Sequence, residues 1–304
     1  MSTKKNVFLL VGIPLMNLDG NMRIAHLTDL HFQTPPTIME MFHPKRWIGS
    51  TNLYVLGRHR KFALSTQRGA IAAACAQKPD LFLMTGDITA QALREECVLA
   101  RKELGPLLEN TPSFLIFGNH DIYTSNTPNK ALKQELGQWL PPQSPYLFQH
   151  ESIAVLYIET CRVDWLSRGW VDPKALEKAQ KLLEKSDACF TILCIHYPIL
   201  NRRGKPYGPA QRAIRNGSIL EEWLKQAPID MILHGHEHHG YQVDVQTGKG
   251  MIPNINPGSS GYARDEKLDR RAHFTMYTVN DHKLVQVERF AEKEEGFVPT
   301  TWGR

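Results

Sequence analysis

Cysteine is scarce in this chain of 304 residues, and what there is cannot be read as a framework. There are five, an odd number, with no CxxC pair. Such a set fits neither disulfide stapling nor a thiolate zinc site, and a reducing, cytoplasmic setting is the expectation. Long apolar runs are lacking as well. VFLLVGIPLM, residues 7–16, is about half of what a transmembrane helix needs. No small-residue cleavage site follows it. Residues 1–21 therefore form an apolar extension with three open readings: a weak anchor, a peripheral strand, or a start codon placed upstream of Met22. Charge of one sign is also lacking, since 36 basic against 31 acidic residues leaves +5. That excess is too small to imply nucleic-acid binding, and no basic stripe interleaved with aromatics supports it. Internal repeats and low-complexity linkers are absent too.

What is present is an alternation of short apolar runs with helical patterns, the signature of an α/β fold. Strands are expected at 22–28, 80–85, 113–117, 153–158, 190–195 and 229–233. They are nearly continuous in Ile, Leu, Phe and Val, as strands buried on both faces are. Helices are expected at 62–77, 90–108, 129–139, 172–185 and 218–226. Asp172-Pro173 supplies a start signal, an acid at the N-cap and proline in the first turn. After Gly240 the alternating segments YQVDV, HFTMYTV and KLVQVERF read as antiparallel strands.

Five of the apolar runs end in groups able to bind a cation. They lead into Asp29-Leu30-His31, Gly86-Asp87, Gly118-Asn119-His120-Asp121, His196, and His234-Gly235-His236-Glu237-His238. Sites in open α/β sheets form beyond the carboxyl ends of strands, so five such endings imply one convergent site. Asp29, His31, Asp87, Asn119, His196, His236 and His238 offer carboxylate, amide and imidazole donors without a thiolate. That set suits Mn, Fe or Zn. It is too large for one tetrahedral ion and fits two divalent ions if a carboxylate bridges them. The i, i+2 spacing of Asp29 with His31, and of His236 with His238, would point each pair the same way from an extended strand. By the same alternation Glu237 would point away from the ions.

In order and strand context these blocks resemble the calcineurin-like metallophosphoesterases, whose pattern is DxH, GDxx, GNHD, a lone His and GHxH. The match spans roughly residues 22–260, and NPGSSG at 256–261 is similar to a turn found after GHxH in many members. The resemblance implies a domain over 22–304 built as a four-layer α-β-β-α sandwich, two packed mixed sheets flanked by helices, with the metal site at the carboxyl ends of strands. It implies that Asp29, His31, Asp87 and His238 hold one metal ion and that Asp87 bridges. Asn119, His196 and His236 then complete the second. His120 would stabilise charge or protonate the leaving oxygen, and Asp121 would orient its ring. The activity implied is metal-dependent phosphohydrolysis of a phosphodiester or pyrophosphate bond by a metal-bridging hydroxide. A catalytically inactive scaffold of the same fold is the contrasting reading, and such scaffolds typically lose a ligand or the GNHD histidine. His234 and His239 match no ligand position and read as supporting or solvated.

Residues 35–61 depart from a minimal core. They mix Trp47, Ile48, Tyr54 and other apolar residues with Lys45, Arg46, Arg58, Arg60 and Lys61. Such an amphipathic basic insertion suits a membrane surface or a lipid, with a peripheral place on the inner face of a membrane. A cap helix with solvated charges is the plainer reading. Leaving the DxH loop, the segment should overhang the metal site. Arg202 and Arg203, after the His196 strand, would meet a phosphate or face water; Arg58 and Arg60 are further candidates for substrate contact. The partner expected is a small-molecule or lipid-linked phosphoester such as UDP-2,3-diacylglucosamine, with a cyclic nucleotide as the alternative.

Overall fold

The computed structural model describes residues 21–38, 40–55, 57–125, 130–208, 212–266, 270–280 and 282–302. The apolar run at 7–16, and with it the readings offered for residues 1–20, lies outside them. Leu56 falls outside them too.

The parallel heart of the first sheet is β1 (Asn21–Leu27), β2 (Leu81–Met84) and β3 (Ser113–Leu115). Antiparallel strands β10 (His273–Asn280), β11 (Lys283–Lys293) and β12 (Gly296–Thr300) extend it, giving the order β12-β11-β10-β1-β2-β3. The second sheet contains β4 (Tyr146–His150), β5 (Ile153–Tyr157), β6 (Phe190–Cys194), β7 (Met231–Leu233), β8 (Tyr241–Thr247) and β9 (Gly250–Asn256). Its order is β4-β5-β6-β7-β9-β8, with β5, β6, β7 and β9 running parallel. Both sheets are therefore mixed, and helices flank them. Every residue of β2, β3, β5, β6 and β7 is buried, which is why these strands read as nearly continuous apolar runs, with Ser113 and Thr191 as polar exceptions.

The helices are α1 (Pro44–Ser50), α2 (Leu64–Ala76), α3 (Arg94–Leu108), α4 (Lys130–Leu136), α5 (Pro173–Leu183) and α6 (Gly217–Leu224). None of the described helices is long and apolar enough to cross a membrane. Asp172 does cap α5, its carboxylate accepting from Lys174 N at 3.0 Å. One expectation needs correction. Helix α3 begins at Arg94, not at residue 90, because Ala92 takes a positive φ of 53° and Glu96 folds back to accept from Gln91 N and Leu93 N. The three alternating segments after Gly240 do pair antiparallel, as β8, β10 and β11. Strand β9, with Pro253 inside it, pairs parallel to β7 and antiparallel to β8.

Residues 35–61 form α1, a single π turn at Thr51–Val55 and a 3-10 turn at Arg58–Lys61. Several of their described apolar groups face outward: Ile38 is 82% exposed, Phe42 77%, Val55 76% and Trp47 57%.

Candidate metal centre

The strands deliver the predicted groups to one rim. Past Leu27 the chain places Asp29 and His31, past Met84 it places Asp87, and past Leu115 it places Asn119 and His120. His196 follows β6, and His236 and His238 follow β7. Three groups of these side chains have donor atoms within 4.8 Å of one another: Asp29 with His31 and His238, His31 with Asp87 and His120, and Asp87 with His196 and His236. Asp87, Asn119, His120, His236 and His238 line a cavity of about 500 Å³ that also meets Lys61, Phe62, Tyr207, Arg212, Tyr262 and Arg270.

Within it the atoms separate into two halves joined at Asp87. In one half His31 Nε2 lies 3.2 Å from His238 Nε2, and Asp29 Oδ1 lies 3.4 Å from His238 Nε2. In the other, Asn119 Oδ1 lies 3.1 Å from His196 Nε2 and 2.9 Å from His236 Nδ1. Asp87 addresses both: Oδ2 is 3.6 Å from His31 Nε2, and Oδ1 is 3.5 Å from His196 Nε2. Two donors on one ion at metal–ligand distances of about 2.0–2.2 Å stand roughly 3–3.5 Å apart, so these spacings fit divalent ions.

Tautomers fit as well. His196 Nδ1 faces the Thr85 carbonyl at 2.8 Å, and a carbonyl only accepts. The proton therefore sits on Nδ1, and Nε2 turns a lone pair toward Asn119 and Asp87, both acceptors. Lone pairs converging in a buried space call for a cation. The protein alone answers that need with protons. Burial acts to lower the pKa of His196, but the carboxylate of Asp87 outweighs it and pushes the value up to about 9. Asp87 in turn sits well below the usual carboxylate range: burial opposes this, and His196, His120 and His31 prevail.

The local backbone explains how the side chains converge, and it is not the expected way. The i, i+2 pairs do not lie on extended strand. Asp29, His31, Asp87 and His236 all have positive φ, at 52°, 53°, 52° and 68°, four of the eight such non-glycine residues described. Strain of this kind costs on the order of 1–3 kcal/mol per residue and gathers at functional sites. Close approach permits it. A Cβ on Gly118 would sit 2.1 Å from Asp87 N, and one on Gly235 2.1 Å from Thr28 Oγ1. The NPGSSG turn braces the loops: Asn256 Nδ2 donates to Gly235 O and Ser259 Oγ to Asp29 O, at 2.8 and 2.7 Å.

His120 and Asp121 divide the work differently from the expectation. Asp121 is buried and does not orient the His120 ring. Its Oδ1 accepts from Thr89 N and Thr89 Oγ1, and its Oδ2 from Ile88 N and Gly118 N, so it ties the Asp87 loop to the Asn119 loop. The ring is held instead by Ala90 O, 2.6 Å from His120 Nδ1. Glu237 lines the cavity against Tyr207 and joins none of the three ligand groups. His234 is buried and kept neutral, burial lowering its pKa to about 3, while His239 meets Arg270 Nη2 at 2.9 Å on the cavity wall. Of the candidate arginines, Arg60 and Arg203 are exposed, Arg202 lines a neighbouring cavity, and Arg58 opens the 3-10 turn with its side chain outside the described residues. The carbonyls of Thr85 and Ala90 were invisible in the sequence, because any residue carries one. Arg212 and Arg270 carried no motif.

The family profile of calcineurin-like phosphoesterases matches residues 22–240. A probable cyclic nucleotide phosphodiesterase of Pseudoalteromonas sp. (strain SM9913) is 23% identical over 234 residues, 73% of this chain and 74% of that one. Among solved structures, a dimetal phosphatase from Danio rerio superposes with a TM-score of 0.60 at 11% identity, covering 93% of this chain and 99% of that one. A purple acid phosphatase from yellow lupin seeds (Lupinus luteus) gives 0.57 at 15% identity and covers 91% of this chain, which spans 52% of the plant protein. At such identities the superpositions speak for the fold, and the profile match speaks for descent. The chain belongs to the calcineurin-like phosphoesterases, metal-dependent phosphohydrolases.

Proposed function

We propose that the chain hydrolyses a phosphodiester or pyrophosphate bond with two divalent ions, one in each half of the cluster, and that its substrate is lipid-linked. The observation that carries the two-ion reading is the placement of Asp87, whose two carboxylate oxygens face different imidazoles, His31 and His196. Asp29, His31 and His238 would hold one ion and Asn119, His196 and His236 the other, with Asp87 between them. Bound there, the ions would acidify a water and offset the negative charge of the phosphoryl group.

The chain's own groups do the rest. His120 carries its Nδ1 proton toward Ala90 O, so Nε2 is the atom left to serve the cavity. As an imidazolium it donates from Nε2 to the departing oxygen, and the Ala90 carbonyl steadies the positive ring. Lys61, Arg212 and Arg270 line the cavity and can orient the anionic substrate.

The lipid-linked part rests on residues 35–61, read as an insertion that caps the domain of residues 22–304. Ile38, Phe42, Trp47 and Val55 are exposed there beside Lys45, Arg46 and Arg60. The same segment borders the site, for Lys45, Ile48 and Gly49 line a cleft with Asn119 and His120. An apolar surface beside a phosphohydrolase cavity suits a phosphoester held at a membrane or on an acyl chain. A cyclic nucleotide is the second reading, favoured by the naming of the Pseudoalteromonas relative.

The test is a chelator-stripped protein reloaded with Mn²⁺ and given bis-p-nitrophenyl phosphate, then a panel of acylated UDP-sugars and cyclic nucleotides. Metal-dependent turnover with preference for the acylated substrates is expected. No turnover with any divalent ion would leave only a scaffold, and preference for cyclic nucleotides would overturn the lipid-linked reading.

A further inference from the structure

A second cavity adjoins the metal cavity on its His238 side. His238, His239 and Arg270 line both, and the second, of about 550 Å³, lies between the start of β8, the end of β11 and the chain beyond β12. Its lining includes Arg202, Arg270, Arg271, Arg289 and Lys293, and no carboxylate among the described lining residues. The whole chain carries an excess of only +5. Five cations around one cavity are thus a local concentration, not a sample of a basic surface.

Two of these cations are held in place. Arg289 is 8% exposed, lies 5.0 Å over the Trp302 ring, and comes so close to the chain after His239 that a Cβ on Gly240 would stand 2.5 Å from its Nη2. Only glycine lets the guanidinium approach there. Arg270 donates to His239 Nε2 at 2.9 Å and lies 5.4 Å over Tyr262, on the wall the two cavities share. Fixed guanidinium groups around a cavity with no carboxylate among its described lining residues form a preorganised receptor for phosphate or a similar anion, because little rotamer freedom is lost on binding.

We propose that this cavity is a second anion subsite: beside the phosphoryl group cleaved at the metal cluster, the substrate carries another phosphate or comparable anion that settles among Arg270, Arg271, Arg289 and Lys293. The inference rests on the reading of hydrolysis at the cluster and narrows it. Pyrophosphate-linked or doubly phosphorylated substrates can fill both cavities. A cyclic mononucleotide has a single phosphate and leaves this one unfilled.

Two matched pairs of chromogenic substrates test it on the full chain loaded with Mn²⁺. One pair is the p-nitrophenyl ester of thymidine 5′-phosphate with and without a 3′-phosphate. The other is the p-nitrophenyl esters of thymidine mono- and diphosphate. In at least one pair the member with the extra phosphate should have a KM about tenfold lower, a difference of the size one charge-assisted contact supplies. The gap should shrink in the Arg271→Gln/Lys293→Gln variant, with thermal melting checking that the variant folds. Equal KM values in both pairs, or an undiminished gap in the variant, would overturn the subsite. If no substrate is cleaved, the cluster reading fails separately, and the subsite is then judged by calorimetric titration of inorganic pyrophosphate into metal-stripped protein. Weaker binding by the double variant supports an anion site, and equal binding overturns it. Pyrophosphate binding that the variant weakens, with no KM gap in an active enzyme, would mark a site for free anions and overturn its role in holding substrate.

Discussion

His31 Nε2 stands 3.2 Å from His238 Nε2, although 207 residues separate them in the chain. Two ring nitrogens turned toward one another inside a protein require a proton or a cation between them. Here Asp29 Oδ1 closes on the same point, 3.8 and 3.4 Å from the two nitrogens. A divalent ion satisfies all three donors at once, where a proton satisfies one pair.

The His120 ring gives a prediction that separates chemistry from metal binding. Its backbone N donates to Asp87 Oδ1 at 2.8 Å, so the loop is anchored whatever the side chain. His120→Asn should keep the metal content of the native protein and slow turnover on the order of 10²–10⁴-fold. Turnover at the native rate would make the ring structural only.

Asp121 should behave as a clamp and not as part of a proton relay. Asn in its place turns an amide NH₂ toward donors that now meet carboxylate oxygen. Each mispaired buried donor costs about 1–3 kcal/mol. Urea denaturation of Asp121→Asn should show a loss of that order. Full stability combined with a shifted pH–rate profile would restore the ring-orienting role the sequence suggested.

Stability should also fall with rising pH through Glu96, which burial pushes up to about 8 against its backbone hydrogen bonds to Gln91 and Leu93. The folded-state pKa exceeds the unfolded value of 4.5. The folded protein therefore holds the proton longer, and this group's contribution is complete below pH 4.5 and is lost as pH rises toward 8. Gln cannot ionise. Denaturation of Glu96→Gln and native protein at pH 5 and pH 8.5 should show the variant gaining relative stability at the higher pH, by a few kcal/mol as an order of magnitude. A pH-independent difference would count against the raised pKa.

The outward apolar face of residues 38–55 predicts lipid contact. Phe42 and Trp47 are exposed, so replacing both with Ser should leave the melting temperature within about a degree or two, as surface changes do. Co-sedimentation with acidic phospholipid vesicles should fall several-fold. Unchanged sedimentation would remove the membrane argument.

Legibility from sequence followed locality. The parallel strands were readable because full burial leaves β2, β5 and β7 almost wholly apolar and β6 with Thr191 alone as a polar interruption. Each strand end carries its ligand within a few residues, so those positions were readable too. The i, i+2 spacing does not account for their convergence, since the backbone at Asp29, His31, Asp87 and His236 is left-handed and not extended. Strands β4, β9 and β12 escaped notice. Pro253 and Pro299 mask two of them, and the Tyr146–His150 strand is only half-buried. What holds the His120 ring, Ala90 O, is a backbone atom, and what lines the second cavity comes largely from β11 and the chain before β10. Neither leaves a pattern in a linear string.

Metal stoichiometry and coupling test the central claim most directly. Chelated protein reloaded with Mn²⁺ should bind two ions per chain by elemental analysis and give the electron paramagnetic resonance of a spin-coupled pair. Asp87→Asn should lose that coupling together with more than about 100-fold in turnover, since altering groups that merely support a ligand already costs 10–100-fold. One ion per chain, or two uncoupled ions unaffected by Asp87→Asn, would contradict it.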